Sequence, residues 1–284
     1  MTRSSPAIVY VSALTYRRPE MLGKLLEAFL ALERPAGWEL RFLIVDNDAE
    51  GSARETLAAF EARFAGRLDY VVEPEPGIPF ARNRALDTAT SAGARLLAFI
   101  DDDSYPDPGW LAALIARWEE SGAALVNGPR RLVLYETPGG WWQGELAKAL
   151  IAHAAFVERF AARQARKGLV ATGGTYNWLG DLDWIRERGL RFDTALRFTG
   201  GSDTAFREAV QRAGGRVAWC EQAIILEYLP LERCSLREQF RRSVARGINA
   251  ETVGRRAPFA VLRRPLGRIA VGAALIVLPV LGRA

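Results

Sequence analysis

The chain has 284 residues, of which 49% are hydrophobic and 25% are charged. This balance is typical of a globular protein and excludes a disordered chain, and the length suffices for one large α/β domain with or without an appendage. The net charge of +5 is unevenly spread, since residues 233–268 contain ten arginines and two glutamates. Such a stretch indicates an anionic partner, either a membrane or nucleic acid, or simply a solvated arginine-rich helix.

The cysteines and the N-terminus indicate the cellular compartment. Cys220 and Cys234 form neither a metal-ligand spacing nor a disulfide framework, which is typical of proteins in a reducing compartment. Residues 1–16 lack the sustained apolar stretch of a signal peptide. We therefore expect a cytoplasmic protein.

The first hundred residues alternate between strand and helix patterns. Apolar residues recur at helical spacing after Pro19, and the compact apolar runs between the helices are typical of buried strands. The predicted strands are 7–14, 41–47, 68–72 and 94–100, and the predicted helices are one that opens at Pro19, 52–65 and 80–92. This alternation predicts parallel strands with right-handed helical crossovers, that is, a doubly wound α/β sheet.

The second half is less regular. Asp107 and Pro108 form an N-cap and first-turn pair for a helix that stops at Gly122. The elements predicted after it are a strand at 123–128, a Gly/Trp-rich loop and a helical stretch within 136–170, short strands and turns at 171–200, a helix at 203–213 and a strand at 216–226. Because no linker is visible earlier, we expect one domain over residues 1–232 and a basic, apolar-ended segment over 233–284.

The last residues contain the apolar run IAVGAALIVLPVLG, residues 269–282, which has no charge. This run is shorter than the roughly 20 apolar residues that span a bilayer. It predicts either an interfacial or re-entrant segment preceded by arginines, or a helix packed on the protein itself.

Acidic residues follow two of the predicted strands. Asp46 and Asp48 follow the second strand, and Asp101, Asp102 and Asp103 follow the fourth. Ligands of an open parallel sheet bind outside the carboxyl ends of the strands, so both clusters are expected at one crevice. An Asp-x-Asp pair supplies the hard oxygen ligands that Mg²⁺ or Mn²⁺ prefers.

Alternatives remain for each cluster. The aspartates at 101–103 could cap a helix or face water, although the predicted cap at Asp107 weakens the first of these. Asp46 and Asp48 either bond the polar edge of a base or a ribose, or form a turn. Thr15 and Tyr16, at the end of the first strand, could flank the same base.

The remaining motifs limit the chemistry. The sequence contains neither GxGxxG after its first strand nor a P-loop, and its single histidine, His153, lies in an apolar stretch where packing is the simpler role. A carboxylate must then act as general base. Asp203 is the candidate because Gly200 and Gly201 would allow a ligand close to the backbone; the motif alone favours a helix cap.

Taken together, the motifs resemble those of glycosyltransferase family 2, most of all the bacterial exopolysaccharide enzymes of the succinoglycan type. The resemblance covers roughly residues 7–250. The motifs that carry it are TYRRPE at 15–20, VDND at 45–48, ARNRAL at 81–86, IDDD at 100–103, GGTYN at 173–177, GGSD at 200–203 and RRSVARG at 241–247.

The resemblance implies a GT-A fold and a set of roles. Thr15, Tyr16, Asp46 and Asp48 would contact the uracil and ribose of a nucleotide sugar, and Arg82 would support the base or the diphosphate. Asp101 would reach the ribose, and with Asp103 it would hold a divalent metal, Mg²⁺ or Mn²⁺. Asp203 would be the base of an inverting enzyme. The family often has Glu-Asp where this chain has Ser202-Asp203, and no role is predicted for Asp102.

The resemblance also implies partners. The donor would be a nucleotide diphosphate sugar, a UDP-sugar, and the acceptor a saccharide or lipid-linked saccharide at the cytoplasmic face of the inner membrane. Arginines suit phosphates and anionic headgroups, whereas aspartates at the crevice would repel nucleic acid. The alternatives are a sugar-phosphate nucleotidyltransferase, which would need a glycine-rich loop after the first strand, and a non-catalytic nucleotide-sugar binding protein.

Overall fold

A computed structural model describes residues 6–166, 174–197 and 200–242. The chain divides into two compact units. The larger unit consists of Met1–Arg130, Phe160–Phe198 and Ser202–Leu226, and the smaller of Arg131–Arg159, Thr199–Gly201 and Glu227–Ala284. The segment expected at 233–284 is described only as far as Arg242, so the apolar run 269–282 lies outside the described residues.

The described chain contains ten strands and seven α-helices. The strands are β1 (Ala7–Thr15), β2 (Trp38–Asp46), β3 (Leu68–Val72), β4 (Leu96–Asp101), β5 (Ser104–Pro106), β6 (Leu125–Asn127), β7 (Arg130–Val133), β8 (Asn177–Asp181), β9 (Val217–Trp219) and β10 (Ile225–Tyr228). The helices are α1 (Pro19–Leu30), α2 (Arg54–Phe64), α3 (Ile78–Ser91), α4 (Trp110–Ser121), α5 (Trp141–Arg166), α6 (Leu182–Glu187) and α7 (Ser202–Arg212). Residues 236–242 form a further helical stretch.

The main sheet has seven strands in the order β3-β2-β1-β4-β8-β6-β9, and β5, β10 and β7 form a smaller sheet. Strands β3, β2, β1 and β4 are parallel, as are β6 and β9. Strand β8 runs antiparallel to both of its neighbours. The predicted, mostly parallel α/β sheet is therefore confirmed, and β8 is its one reversed strand.

Helices cover both faces of this sheet. One core packs β1, β2 and β4 against α1, α2 and α4, and a second packs them against α3, α6 and α7. Along β1, Val9 and Val11 belong to the first core and Tyr10 to the second. Strands that are buried on both faces carry continuous apolar runs, which is why they were readable in the sequence. The doubly wound arrangement is confirmed.

The start of α4 differs from the prediction. The helix begins at Trp110, and its N-cap is Gly109, which makes no side-chain capping bond. The predicted Asp107 cap is wrong because the backbone carbonyl of Asp107, and not its carboxylate, accepts the amide of Trp110 at 2.9 Å. The predicted stop is confirmed, since Gly122 adopts the left-handed φ of +55° that favours glycine at a helix end.

Two further elements differ from the prediction. The Gly/Trp-rich loop is shorter than expected because α5 already begins at Trp141 and runs for 26 residues. The strand expected at 216–226 is two short strands, β9 and the first half of β10, separated by a turn. Within residues 6–242 as described, no helix combines the length and the apolar character that crossing a membrane requires.

Candidate active site

The carboxyl ends of the parallel strands bring the predicted site residues to one edge of the sheet. In the register of β1 with its neighbours, Thr15 pairs with Asp46 of β2, and Leu14 pairs with Asp101 of β4. Strand order alone thus places the two acidic clusters on either side of Thr15. The expectation that both clusters share one crevice edge agrees with this geometry.

Asp102 is the inward-facing member of the three consecutive aspartates. Its carboxylate is 6% exposed and accepts hydrogen bonds from the Thr15 hydroxyl at 3.0 Å and from the Arg18 guanidinium at 2.9 Å. Burial raises the pKa of Asp102, and the charge of Arg18 opposes that rise. Asp102 therefore links the end of β4 to the connection between β1 and α1, which gives it the structural role that the sequence could not assign.

Asp101 and Asp103 flank this buried carboxylate. Asp101 is exposed at the end of β4, and Asp103 is partly exposed with Arg18 at 3.9 Å. No cluster of three or more His, Cys, Asp or Glu side chains suited to a metal ion occurs in the described part of the chain. Asp101 and Asp103 would offer two carboxylates, which fit a hard cation whose other ligands come from a diphosphate and water.

Asp46 is completely buried at the end of β2. Its carboxylate accepts hydrogen bonds from the amides of Asp48 and Ala53, at 3.1 and 2.8 Å, and from the Tyr70 hydroxyl at 3.0 Å. Burial and this bond to Asp46 raise the pKa of Tyr70 to about 12. These contacts hold the connection from β2 to α2, so the turn role is visible in the structure, and a contact with a nucleotide stays a prediction.

Asp48 joins two loops at the same edge. It binds Arg17 through two bonds, 2.8 Å from Nε and 3.2 Å from Nη2, and this partner holds the pKa of Asp48 below its usual range. Arg17 has a φ of +54°, which is uncommon for a residue other than glycine. Its guanidinium lies 5.2 Å from the ring centre of Tyr16, which is 53% exposed.

Arg82 lies on α3 and contacts the start of α7. The guanidinium is 9% exposed, donates to the Ser202 hydroxyl at 3.0 Å and lies 5.4 Å from the ring centre of Phe192. Burial lowers the pKa of Arg82, and the charges of Asp203 and Asp101 act in the opposite direction. Asp101 and Asp203 are two of the five aspartates to which the resemblance assigned roles.

Asp203 lies in the first turn of α7. The helix begins at Ser202, so Asp203 is inside it rather than before it, and its carboxylate accepts the amide of Thr204 at 2.7 Å. Gly174 lies against the carboxylate, since a Cβ there would come within 2.9 Å of Oδ2. Asp203 lines a small cavity together with Leu125, Asn127, Gly174, Thr175, Trp178, Phe206 and Arg207.

Sequence reasoning missed the residues that position these carboxylates. Arg17 and Arg18 lie inside the motif TYRRPE. Their positive charge, next to two acidic clusters at the same edge of the sheet, was the sequence signal that could have identified them. A further residue at this edge, Asn177, lies in the motif GGTYN, and its contacts depend on the reversed strand β8. Its amide donates to the carbonyls of Pro129 and Ala223, at 3.0 and 2.8 Å, and its oxygen accepts the Trp110 indole at 2.8 Å.

Solved structures with the same architecture define the fold. S. aureus TarS in complex with UDP-GlcNAc matches with a TM-score of 0.55 and 16% identity, over 87% of this chain and 72% of that one. Another TarS chain is covered over 43% of its length. A mannosyltransferase from Pyrobaculum calidifontis in complex with GDP-Man and Mn²⁺ matches with a TM-score of 0.60 and 16% identity, over 94% and 69%. The fold is GT-A.

Sequence comparison identifies the family. The family model for glycosyl transferase family 2 matches residues 11–189. The succinoglycan biosynthesis protein ExoM of Rhizobium meliloti is 34% identical over 227 residues, which are 80% of this chain and 68% of that protein. The chain belongs to glycosyl transferase family 2 and is a glycosyltransferase, as the ordered motifs predicted.

Proposed function

We propose that the protein is an inverting glycosyltransferase of exopolysaccharide biosynthesis that transfers a sugar from a UDP-sugar to a saccharide or lipid-linked saccharide. The observation that carries this proposal is the strand register that places Asp46 and Asp101 on either side of the end of β1, at the carboxyl edge of the parallel strands. Asp203, which would serve the acceptor, lies in the first turn of α7, and buried Arg82 donates to Ser202 at the start of that helix. The name of ExoM supports the pathway, and the TarS complex with UDP-GlcNAc supports the donor class.

The nucleotide would bind over the ends of β1 and β2. Tyr16 has the exposed ring, which is suited to stacking on a base. Thr15 and Asp46 already use their side chains within the protein, so they would shape the base and ribose site, and Asp48 would do so through Arg17. Arg82 would face the diphosphate side together with Asp101.

A divalent cation, Mg²⁺ or Mn²⁺, would be held by Asp101 and Asp103. When bound, such an ion neutralises the charge that develops on the leaving diphosphate. Asp102 cannot replace either ligand, because its carboxylate is turned inward to Thr15 and Arg18. The buried carboxylate instead fixes the backbone from which the two outer aspartates project.

Asp203 would accept the proton of the acceptor hydroxyl as that hydroxyl attacks the sugar. Asp203 lies in the first turn of α7, next to Ser202, at which the helix begins. Ser202, where the family often has glutamate, accepts a bond from Arg82. This serine therefore helps to orient the guanidinium beside the base.

The test is the variant Asp203→Asn, which preserves shape and the bond from the Thr204 amide. We expect the transfer rate to fall by about 10²–10⁴-fold, while UDP affinity, measured by calorimetry, stays the same. Asp183→Asn is the matched control, since Asp183 also lies in the first turn of a helix, α6, but follows the opposite end of the sheet. An equal loss of UDP binding in Asp203→Asn would contradict the base assignment.

We further infer a cytoplasmic protein that associates with the inner face of an anionic membrane, where a lipid-linked acceptor would lie. The arginine-rich stretch 233–268 supports this inference, because arginines bind phosphate headgroups well. At its described start, Arg233 pairs with Glu227 at 3.1 Å and Arg241 pairs with Glu238 at 2.8 Å. Residues 243–284 add seven arginines and one glutamate to this charge.

A further inference from the structure

Exposed large hydrophobic side chains are concentrated in the smaller unit. Seven of the ten found among the described residues belong to it, although it supplies only about a fifth of those residues. The seven are Tyr135, Trp141, Trp142, Phe156, Val157, Leu236 and Phe240. Such a concentration is unusual for a surface that meets only water and marks an interaction surface.

Helix α5 carries four of these side chains. Trp141, Lys148, Ala152, Phe156 and Arg159 are spaced by seven, four, four and three residues, so they fall on one side of the helix, and all of them are exposed. Trp141 is 65% and Phe156 is 60% exposed.

The other side of this part of α5 is buried. Leu146, Ala147 and Ala154 are covered by protein, and Ala147 packs with Leu229 and Cys234 of the same unit. The helix therefore has two apolar sides, and only one of them is used in packing the protein. We call the exposed side that carries Trp141, Trp142 and Phe156 the aromatic face.

A second group of exposed hydrophobic side chains in the smaller unit also lies beside basic residues. In the helical stretch 236–242, Leu236 and Phe240 are four residues apart and exposed, and so are Arg237 and Arg241. Apolar and basic side chains thus again lie next to each other along one turn. Two helical segments of one unit repeat this combination.

We propose that the aromatic face of α5 docks on the interface of an anionic lipid bilayer. Tryptophan and phenylalanine prefer the boundary between headgroups and acyl chains, and lysine or arginine beside them can reach the phosphates. Lys148 and Arg159 lie on the aromatic face's own side of the helix. A bilayer fits this surface better than a protein partner does, because large rings and cations lie side by side on it and because residues 243–284 add a net charge of +6.

This docking deepens the proposed function, because it brings the enzyme to the surface where a lipid-linked acceptor would lie. Docking through aromatic rings and attraction by arginines alone differ in how membrane binding changes with salt concentration. Burial of rings is not screened by salt, whereas binding by exposed charge weakens as ionic strength rises. The two contributions can therefore be separated by experiment.

The experiment is flotation of the full chain with phosphatidylcholine vesicles that contain phosphatidylglycerol. The triple variant Trp141→Ser, Trp142→Ser, Phe156→Ser should bind about a hundredfold more weakly, and by a similar factor at low and moderate salt. The matched control is Trp141→Phe, Trp142→Phe, Phe156→Trp, which keeps the aromatic area and should bind like the wild type. Equal binding by the serine variant and the wild type would overturn the proposal.

A fluorescent label shows where the contact is made. Cys220 and Cys234 are both buried, so a Phe156→Cys variant can be labelled selectively with a polarity-sensitive dye. Its emission should shift to the blue when vesicles are added, whereas a label at exposed Ala58 of α2 should not respond. A blue-shifted label at 156 without vesicles would overturn the proposal, since another part of the chain or a second copy would then cover the face.

Activity without vesicles separates this proposal from the proposed function. The serine triple variant should hydrolyse UDP-sugar in solution at the wild-type rate, because none of its changes lies in the larger unit that holds the site. Intact hydrolysis together with undiminished vesicle binding would overturn the docking alone. Absence of any UDP-sugar turnover in the wild type, with the vesicle results as expected, would overturn the function alone.

Discussion

At the scale of single residues, the three consecutive aspartates differ in burial and in bonding. Asp102 is buried and bonded to Thr15 and Arg18, whereas Asp101 is exposed and Asp103 partly so. Composition and spacing predicted a metal site at this cluster. Which carboxylate faces inward depends on the donors that β1 and the following loop place beside it, and no local pattern shows them.

The pH dependence of stability tests the buried role of Asp102. Because its pKa is raised in the folded protein, the native state binds more protons than the unfolded state between the ordinary aspartate pKa of about 3.9 and the raised value. The wild type should therefore lose stability relative to Asp102→Asn as pH rises through that window. Urea unfolding across this range measures the difference.

The partly exposed Asp107 provides the control for this measurement. Asp107→Asn reports how the rest of the protein responds to the same change in pH. A difference that instead shifts in favour of the wild type as pH rises would mean that the ion pair with Arg18 outweighs burial, and the assigned direction would be wrong.

At the scale of elements, the reversed strand β8 positions Asn177 and packs against α7. Its antiparallel pairing with β4 sets Asn177 beside Ile100, at the edge where the parallel strands end. Its Trp178 packs 5.1 Å from the Phe99 ring and 6.2 Å from the Phe206 ring of α7. Helix α7 carries Asp203, so β8 supports the element that presents the proposed base.

Gly180→Ala tests this support. A Cβ at Gly180 would lie 2.1 Å from Cζ3 of Trp178 and 3.0 Å from Cδ1 of Ile185, so the indole must move. We expect a loss of about 1–3 kcal/mol in the free energy of unfolding, as for other overpacked cores, and a larger fall in transfer than in UDP affinity. Urea unfolding and initial rates measure the two effects.

Gly23→Ala is the matched control for this substitution. Gly23 lies within α1, and a Cβ there meets no atom within 4 Å. Replacement by alanine should stabilise the helix by up to about 1 kcal/mol without changing activity. If Gly180→Ala were as stable as this control, the packing of Trp178 would not constrain α7.

At the scale of the whole molecule, ligand binding should raise thermal stability. A ligand that binds only the folded state stabilises it by about 2.7 kcal/mol at a hundred times its Kd. We expect UDP-sugars to raise the Tm more than GDP- or dTDP-sugars, with an added increase when Mn²⁺ or Mg²⁺ is present. A thermal-shift series with and without a chelator measures both parts.

The carboxylates at the edge provide the control for the metal-dependent part. The double variant Asp101→Asn, Asp103→Asn should lose the added increase from the metal while it keeps some stabilisation by nucleotide. Equal metal dependence in the wild type and this variant would show that the cation binds elsewhere.

The sequence by itself determined the strand–helix alternation, the doubly wound sheet and the acidic clusters at its edge, because these depend on local periodicity and on the order of elements. The ordered motifs also determined the family. Only the tertiary structure decided that Asp102 faces inward, that β8 runs antiparallel and that buried Arg82 on α3 bonds Ser202 at the start of α7. Those facts depend on contacts between residues far apart in the chain, which local sequence patterns do not specify.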